Sequence, residues 1–297
     1  APALPLPGQM PRVCGTDRPF RNRICKGHPL PRTAPEGQRG PMCLILFSHR
    51  AHPDFPLLIA ANRDEFYDRP TAALEYWTDH PEVLAGRDLK GNGTWLGVSR
   101  SGRIAAITNY RDPAALMPDA PSRGILIRDY LVGDSSPQDY LEAVSKIGQR
   151  YNGFNLIAGD IAGLYYTSNR SSGVQQLGTG FYGISNHLID TAWPKVRRGK
   201  ALLQDQLNGH QEINAGKILD ILADRWQPAD EALPDTGVGL EWERVLAPMF
   251  IIGPDYGTRS SSVVLFDRSG QITFWERTFV KTAHSIKTAE TRRYKLR

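Results

Sequence analysis

Two short apolar runs joined by a polar connector constrain this sequence more than any other feature. The runs cover residues 43–47 and 56–61, each the length of a buried strand, and the connector is rich in His, Pro and Asp. We therefore predict a β-hairpin. Because the strands of a hairpin are antiparallel, the start of the first lies beside the end of the second. Cys43, which opens the first strand, is predicted to neighbour the charged tetrapeptide 62–65 that closes the second.

That tetrapeptide is Asn62, Arg63, Asp64 and Glu65. A thiol beside a guanidinium and carboxylates is a setting in which cysteine becomes a nucleophile, because nearby positive charge favours the thiolate. The alternative is that the arginine and aspartate form a structural salt bridge and that Cys43 is a buried strand residue.

The cysteine count indicates a reducing compartment. The chain has three cysteines, an odd number, and all of them lie in its first sixth: Cys14, Cys25 and Cys43. This is not the pattern of a disulfide framework, so we predict a cytoplasmic location. Cys14 and Cys25 lack the paired spacing of a zinc site, and no metal is predicted.

The net charge of +5 over 297 residues does not indicate a nucleic-acid-binding protein. Much of it comes from the first forty or so residues and from the last few, and no basic stripe is interleaved with aromatic residues. No apolar run approaches the roughly 20 residues of a membrane span. The basic segment 281–297 is predicted to be a solvated tail, and the alternative is a contact with anionic membrane lipids.

Residues 1–41 differ from the rest of the chain. They are crowded with Pro, Gly and Arg, and the prolines exclude an apolar or amphipathic targeting helix. We predict a disordered leader or a mis-set translation start, followed by a single domain over residues 42–297. Met42 would then be the first residue, and its removal would leave Cys43 at the amino terminus. The alternative is a genuine, ordered leader.

The order of the remaining predicted elements favours an α+β fold. Residues 70–93 are interpreted as turn-rich, and residues 233–244 as a loop. Strands are predicted at 94–99, 103–108, 154–158, 163–167, 181–185, 249–253, 260–267 and 271–279, and helices at 123–132, 137–150, 193–207 and 213–226. Runs of strands separated by helix pairs suit a layered sheet sandwich better than an alternating parallel α/β fold.

Several motifs resemble one family. They are Met42-Cys43, the stretch 61–66, residues 68–70, 94–97 and 108–111, Ser185-Asn186 with 193–195, and residues 258–261. In this order they are similar to the NRDE family, also called the transport and Golgi organisation two family, and the resemblance covers nearly everything from Met42 onward.

The resemblance implies a four-layer αββα sandwich of antiparallel sheets, similar to N-terminal nucleophile hydrolases. In the cysteine branch of those enzymes the freed first residue cleaves amides. Carried over by motif, Cys43 would be the nucleophile and its own amine the base. Arg63 and Asp64 would hold the thiolate, although the register leaves Asn62 and Glu65 as alternative counterparts. Asn109 and Asn186 match oxyanion positions, and Arg259 matches a late arginine.

The resemblance also implies a second class of function. Eukaryotic members are associated with haem trafficking and with lipid or Golgi homeostasis, so the alternative is a haem- or lipid-handling protein with haem as cargo rather than as cofactor. His49, His52, His187 or Cys43 would then be the haem contacts. The expected partner is a small-molecule amide in the first case and a haem or lipid ligand in the second.

Overall fold

The computed structural model describes residues 42–209, 212–282 and 285–296, with the exception of the Met42 side chain. The predicted leader, with Cys14 and Cys25, lies outside the described residues.

The described residues form two antiparallel sheets and five α-helices. The strands are β1 (Met42–His49), β2 (Leu57–Phe66), β3 (Thr71–Tyr76), β4 (Val83–Asp88), β5 (Leu96–Ser99), β6 (Ile104–Asn109), β7 (Phe154–Asp160), β8 (Gly163–Ser168), β9 (Val174–Gln176), β10 (Gly180–Ile184), β11 (Tyr256–Phe266), β12 (Ile272–Lys281) and β13 (Ile286–Leu296). The helices are α1 (Gly124–Val132), α2 (Pro137–Ile147), α3 (Pro194–Leu207), α4 (Ala215–Leu222) and α5 (Leu240–Leu246). One sheet has the order β10-β1-β2-β11-β12-β13 and the other the order β3-β4-β5-β6-β7-β8-β9.

Three apolar clusters define four layers. The first lies between the sheets and contains Ile45 and Ile59. The second packs the outer face of the six-stranded sheet against α3 and α4, and the third packs the seven-stranded sheet against α1 and α2. The α+β, four-layer αββα sandwich of antiparallel sheets is confirmed.

The hairpin of β1 and β2 has the predicted antiparallel pairing, with Cys43 opposite Arg63 and Met42 opposite Asp64. The first two strands are almost entirely buried, because both faces of their sheet are covered and their other edges pair with β10 and β11. Helix α2 also begins as predicted, since the Ser136 hydroxyl accepts a hydrogen bond from the Asp139 backbone N–H.

Several predicted boundaries were wrong. Residues 70–93, which were interpreted as turn-rich, contain the two six-residue strands β3 and β4. Residues 240–246 form α5, whereas residues 249–253 form no strand beyond a bridge from Ile252 to Gly257. The basic tail includes β13, a mostly exposed edge strand defined by its pairing with β12. Within the described ranges, no helix is both long and apolar enough to span a bilayer.

Candidate active site

The alternation of side chains along β2 divides the tetrapeptide between two environments. Arg63 and Glu65 continue the row of Ile59, which faces the layer between the sheets. Asn62 and Asp64 continue the row of Leu58 and Ala60, which faces α3 and α4. Cys43 is paired with Arg63, so the thiol belongs with the first group.

A cavity of about 370 Å³ lies at the end of the inter-sheet layer. It brings together four of the predicted site residues: Cys43, Arg63, Glu65 and Asn109. The remaining lining residues come from the segments 69–95 and 107–124 and from position 152: Arg69, Asp88, Lys90, Gly91, Thr94, Trp95, Ile107, Pro118, Ala120, Pro121, Ser122, Arg123, Gly124 and Asn152.

In the chain that retains Met42, the Cys43 thiol is buried and is protonated at neutral pH. Burial is the largest effect and raises its pKa to about 12, and the negative charge of Asp64 acts in the same direction. The backbone N–H of Asp64 donates to the sulfur and the nearby Arg63 charge favours the thiolate, but both effects are smaller. Arg63 therefore acts in the predicted direction without outweighing burial.

The Arg63 guanidinium contacts four neighbouring side chains. Its guanidinium donates to the Thr71 hydroxyl at 2.8 Å and lies 3.5 Å from the Asp88 carboxylate and 3.7 Å from that of Glu65. The guanidinium carbon lies 4.3 Å from the centroid of the Trp95 ring, which is within cation–π distance. These contacts make Arg63 part of the cavity wall.

Two carboxylates connect Arg63 with Arg69. The Arg69 Nε lies 2.7 Å from Asp88 and 3.5 Å from Glu65, so each acid contacts both guanidiniums. Burial opposes ionisation of Asp88, but its hydrogen bonds from Arg69 and from the Gly91 N–H hold its pKa below the usual value. For Glu65 burial prevails and raises the pKa.

On the opposite face of β2, Asn62 and Asp64 secure the strand to the helical layer. The Asn62 amide donates to the carbonyls of Leu222 and Met249, both at 2.8 Å, and its oxygen accepts from the Ser261 hydroxyl at 2.6 Å. Asp64 accepts from the Thr258 hydroxyl at 2.6 Å.

Asp64 also interacts with the buried ammonium of Lys195, which donates to the Leu246 carbonyl at 2.9 Å. Burial raises the pKa of Asp64 and lowers that of Lys195, because neither charge is hydrated. Neither Asn62 nor Asp64 lines the cavity.

The two predicted oxyanion asparagines lie at different depths. Asn109, at the end of β6, lines the cavity. Asn186 is fully buried behind it, and its amide donates to the Asn109 backbone carbonyl at 3.1 Å. Asn186 therefore positions the backbone that carries Asn109.

Arg259 lies outside the residues that line the cavity. It sits in a bulge of β11 between Thr258 and Ser260, and its guanidinium donates to the carbonyls of Phe66 and Arg69. Burial lowers its pKa, as does the proximity of Arg63. Its contacts fix the chain that follows β2.

Five charged or aromatic residues of the cavity were not predicted as site residues: Arg69, Asp88, Lys90, Trp95 and Arg123. Asp88 ends a strand that was interpreted as turn-rich, Trp95 was assigned only to a strand, and Arg123 only to the start of a helix. The signal for Arg123 would have been a basic residue at the start of a helix, where the macrodipole disfavours it.

The histidines proposed as haem contacts lie elsewhere. His49 Nδ1 bonds to the Gly178 carbonyl, and His52 Nδ1 accepts from the Asp54 N–H. His187 bonds to the Tyr110 and Thr191 hydroxyls, and none of the three lines the cavity. Across residues 42–209, 212–282 and 285–296, no group of three or more His, Cys, Asp or Glu side chains is arranged to hold a metal ion.

The chain resembles a group of animal proteins over most of its length. A family model described as Transport and Golgi organisation 2 matches residues 42–281. A transport and Golgi organization protein 2 homolog of Bos taurus is 38% identical over 259 residues, covering 80% of this chain and 94% of that protein. The Homo sapiens homolog is 35% identical with the same coverage.

Two solved structures are distantly similar. A Caenorhabditis elegans N-acylethanolamine-hydrolyzing acid amidase ortholog has a TM-score of 0.45 and 13% identity, over 75% of this chain and 92% of that one. A mutant conjugated bile acid hydrolase from Clostridium perfringens has a TM-score of 0.42 and 10% identity, over 87% of this chain and 97% of that one. Similarity at this level does not extend to the chemistry of a site.

Proposed function

The chain belongs to the Transport and Golgi organisation 2 family, and from the geometry of the Cys43 cavity we propose that it hydrolyses amide bonds through that thiol. One observation carries the proposal: the first strand delivers a cysteine, and the sixth delivers an asparagine, to the same cavity of about 370 Å³. A cavity of that size admits a small organic substrate.

The proposed reaction begins with proton transfer from the Cys43 thiol to its own α-amine. The thiolate then forms a bond to the amide carbonyl carbon, and the carbonyl electron pair moves to oxygen. The carbon–nitrogen bond breaks as the leaving nitrogen takes the proton, and water hydrolyses the thioester. An oxyanion donor from Asn109 would contribute about 3–4 kcal/mol to lowering the barrier.

The proposal requires release of the residues up to and including Met42. While Met42 is attached, the nitrogen of Cys43 is a peptide amide that cannot act as a base, and the thiol pKa stands at about 12. A free α-amine has a pKa of about 7.7–8.0 and would supply the missing base. Removal of Met42 is thus the proposed activation step.

The test combines mass spectrometry of the natural amino terminus with turnover of a panel of acyl amides. We expect a chain that begins at Cys43 and turnover that is lost in Cys43→Ser. A chain that keeps its upstream residues serves as the matched control, because its thiol is present without the amine. Equal turnover by both forms, or turnover that survives Cys43→Ser, would refute the mechanism.

A lipid- or haem-handling role is the second candidate. Its support is the exposure of two apolar side chains that adjoin the cavity walls: Leu89, which is 52% exposed and precedes Lys90, and Met117, which is 37% exposed and precedes Pro118. A carrier of this kind would bind its ligand without consuming it. Titration with hemin, read as a shift of the Soret band, tests the haem case, and an unchanged spectrum would argue against it.

A further inference from the structure

Arg123 differs from the other arginines of the cavity in its ion pairing. Arg63 and Arg69 share the carboxylates of Glu65 and Asp88. Among the described residues, Arg123 has no carboxylate within ion-pair distance, and the hydrogen bond of its guanidinium goes to the Gly153 carbonyl at 2.9 Å. No ion pair within the described residues therefore neutralises its charge, although Glu65 acts on it at longer range.

The surroundings of Arg123 make an unpaired charge costly. The residue is partly buried, and burial lowers its pKa to about 10 against the opposing influence of Cys43 and Glu65. Buried guanidiniums are normally paired, because desolvation of a lone charge is unfavourable. The first turn of α1, which follows Arg123, contains no acidic residue that could take this role.

Backbone packing fixes where Arg123 lies. A Cβ atom at Gly93 would collide with the backbone of Gly124, so the start of α1 is seated directly on the segment that precedes β5. The Thr94 N–H donates to the Gly124 carbonyl at 3.2 Å and holds the contact. Arg123 is thereby presented to the cavity by rigid backbone rather than by a free loop.

We propose that Arg123 is the specificity-determining residue of this cavity and binds a compact oxyanion of the ligand, carboxylate or phosphate, beside Cys43. The guanidinium presents paired N–H donors that match either group. Arg63 cannot serve in this way, because Thr71, Glu65, Asp88 and the Trp95 ring already surround it. The assignment concerns the site of the proposed hydrolase but does not require turnover.

Two alkylating reagents that differ in charge test the assignment at Cys43 itself. Iodoacetate is anionic and iodoacetamide is neutral, and the ratio of their rate constants cancels the thiolate fraction and the accessibility of the sulfur. Rates are measured in the full chain at pH 9 by mass spectrometry of the Cys43 peptide, and the ratio is compared with that of N-acetylcysteine amide. We expect the iodoacetate-to-iodoacetamide rate ratio at Cys43 to be about tenfold above that of the reference thiol, because one partly desolvated positive charge nearby attracts the anionic reagent.

Three variants separate a binding role from a structural one. In Arg123→Gln the ratio should fall to within about twofold of the reference thiol, and in Arg123→Lys most of the preference should remain. Arg103→Gln is the matched control, since Arg103 donates to the Tyr130 and Ser135 carbonyls outside the cavity. Equal losses of both rates in Arg123→Gln, with the ratio unchanged, would overturn the proposal.

A second measurement covers the case in which neither reagent reaches the sulfur. Malonate and inorganic phosphate should each raise the unfolding midpoint of the wild-type chain more than malonamide does, and the difference should vanish in Arg123→Gln. Stabilisation by either anion supports the assignment and identifies the preferred oxyanion. The same response in wild type and Arg123→Gln would refute it, whether or not the protein hydrolyses amides.

Discussion

Asn62 and Arg63 are neighbours in sequence but project from opposite faces of β2. Asn62 bonds to the backbone of the helical side at Leu222 and Met249, while Arg63 contacts Thr71 and the Trp95 ring on the cavity side. The strand that borders Cys43 is therefore fixed from both sides. We therefore expect a substitution of either residue to lower the free energy of unfolding.

We expect Asn62→Ala to lower the free energy of unfolding by about 2–4 kcal/mol, because it leaves two buried carbonyls and one hydroxyl without their partner. Urea unfolding measures the loss. Gln138→Ala, which removes an exposed amide bonded to Glu142, is the control and should change stability by less than about 0.5 kcal/mol. An Asn62 variant as stable as this control would contradict the prediction.

Gly86→Ala should disturb the Arg63 site through Trp95. A Cβ atom at position 86 would lie 2.6 Å from Trp95 Cζ2, so the ring that contacts the Arg63 guanidinium must shift. Overpacking of this kind costs about 1–3 kcal/mol. The measurements are urea unfolding and near-ultraviolet circular dichroism.

Gly178→Ala is the matched control for Gly86→Ala. The atom closest to a Cβ at that position is 3.9 Å away, on the Tyr182 ring hydroxyl, so the added methyl fits without displacing a neighbour. Its near-ultraviolet spectrum should match that of the wild-type chain. An equal spectral change in both alanine variants would show that Trp95 is not displaced by overlap.

The hairpin and its neighbour relationship were predictable from sequence, whereas the contributors to the cavity were not. Strand periodicity and antiparallel pairing bring Cys43 beside Arg63 whatever the rest of the chain does. Trp95 and Arg123 reach the same cavity through the stacking of two sheets and the seating of α1, which depend on contacts distant in sequence. The motif could likewise not reveal that burial, rather than the Arg63 charge, dominates the thiol pKa.

The pH dependence of alkylation tests the state of Cys43. In a chain that retains Met42, the thiol pKa of about 12 means that the thiolate fraction rises about tenfold for each pH unit between 7 and 10. The iodoacetamide rate at Cys43, followed by peptide mass spectrometry, should rise by the same factor without a plateau. A cysteine peptide, with an ordinary pKa of about 8.5, should level off above pH 9. A plateau at Cys43 below pH 9 would contradict the burial argument.

Glu276 should make the protein less stable as the pH rises from 5 to 8. Burial raises its pKa from 4.5 to about 7, so the folded state holds the proton more tightly than the unfolded chain does. That stabilisation is complete below the unfolded pKa and is lost as the pH rises through the folded one. The Glu276→Gln variant lacks this titration but keeps an oxygen to accept the 2.6 Å bond from the Leu74 N–H.

The measurement for Glu276 is the difference in unfolding free energy between wild type and Glu276→Gln at pH 5 and pH 8. We expect the unfolding free energy of wild type, relative to that of Glu276→Gln, to fall by about 2–3 kcal/mol between pH 5 and pH 8. Other buried acids, such as Asp64, titrate in both proteins and cancel. Glu142→Gln, on the exposed face of α2, is the control, and a Glu276 difference as flat with pH as that of the control would contradict the prediction.

Under the hydrolase proposal, substitutions of Asn109 and Asn186 should have different effects on kcat and on the free energy of unfolding. Asn109 lines the cavity, so Asn109→Ala should lower kcat about 10²–10³-fold. Asn186 is buried and bonds to the Asn109 carbonyl at 3.1 Å, so Asn186→Ala should reduce kcat less and stability more, by about 1–3 kcal/mol. The measurements are kcat and KM for an active acyl amide and urea unfolding of the same preparations. An unchanged kcat in Asn109→Ala would contradict the proposed oxyanion role of Asn109.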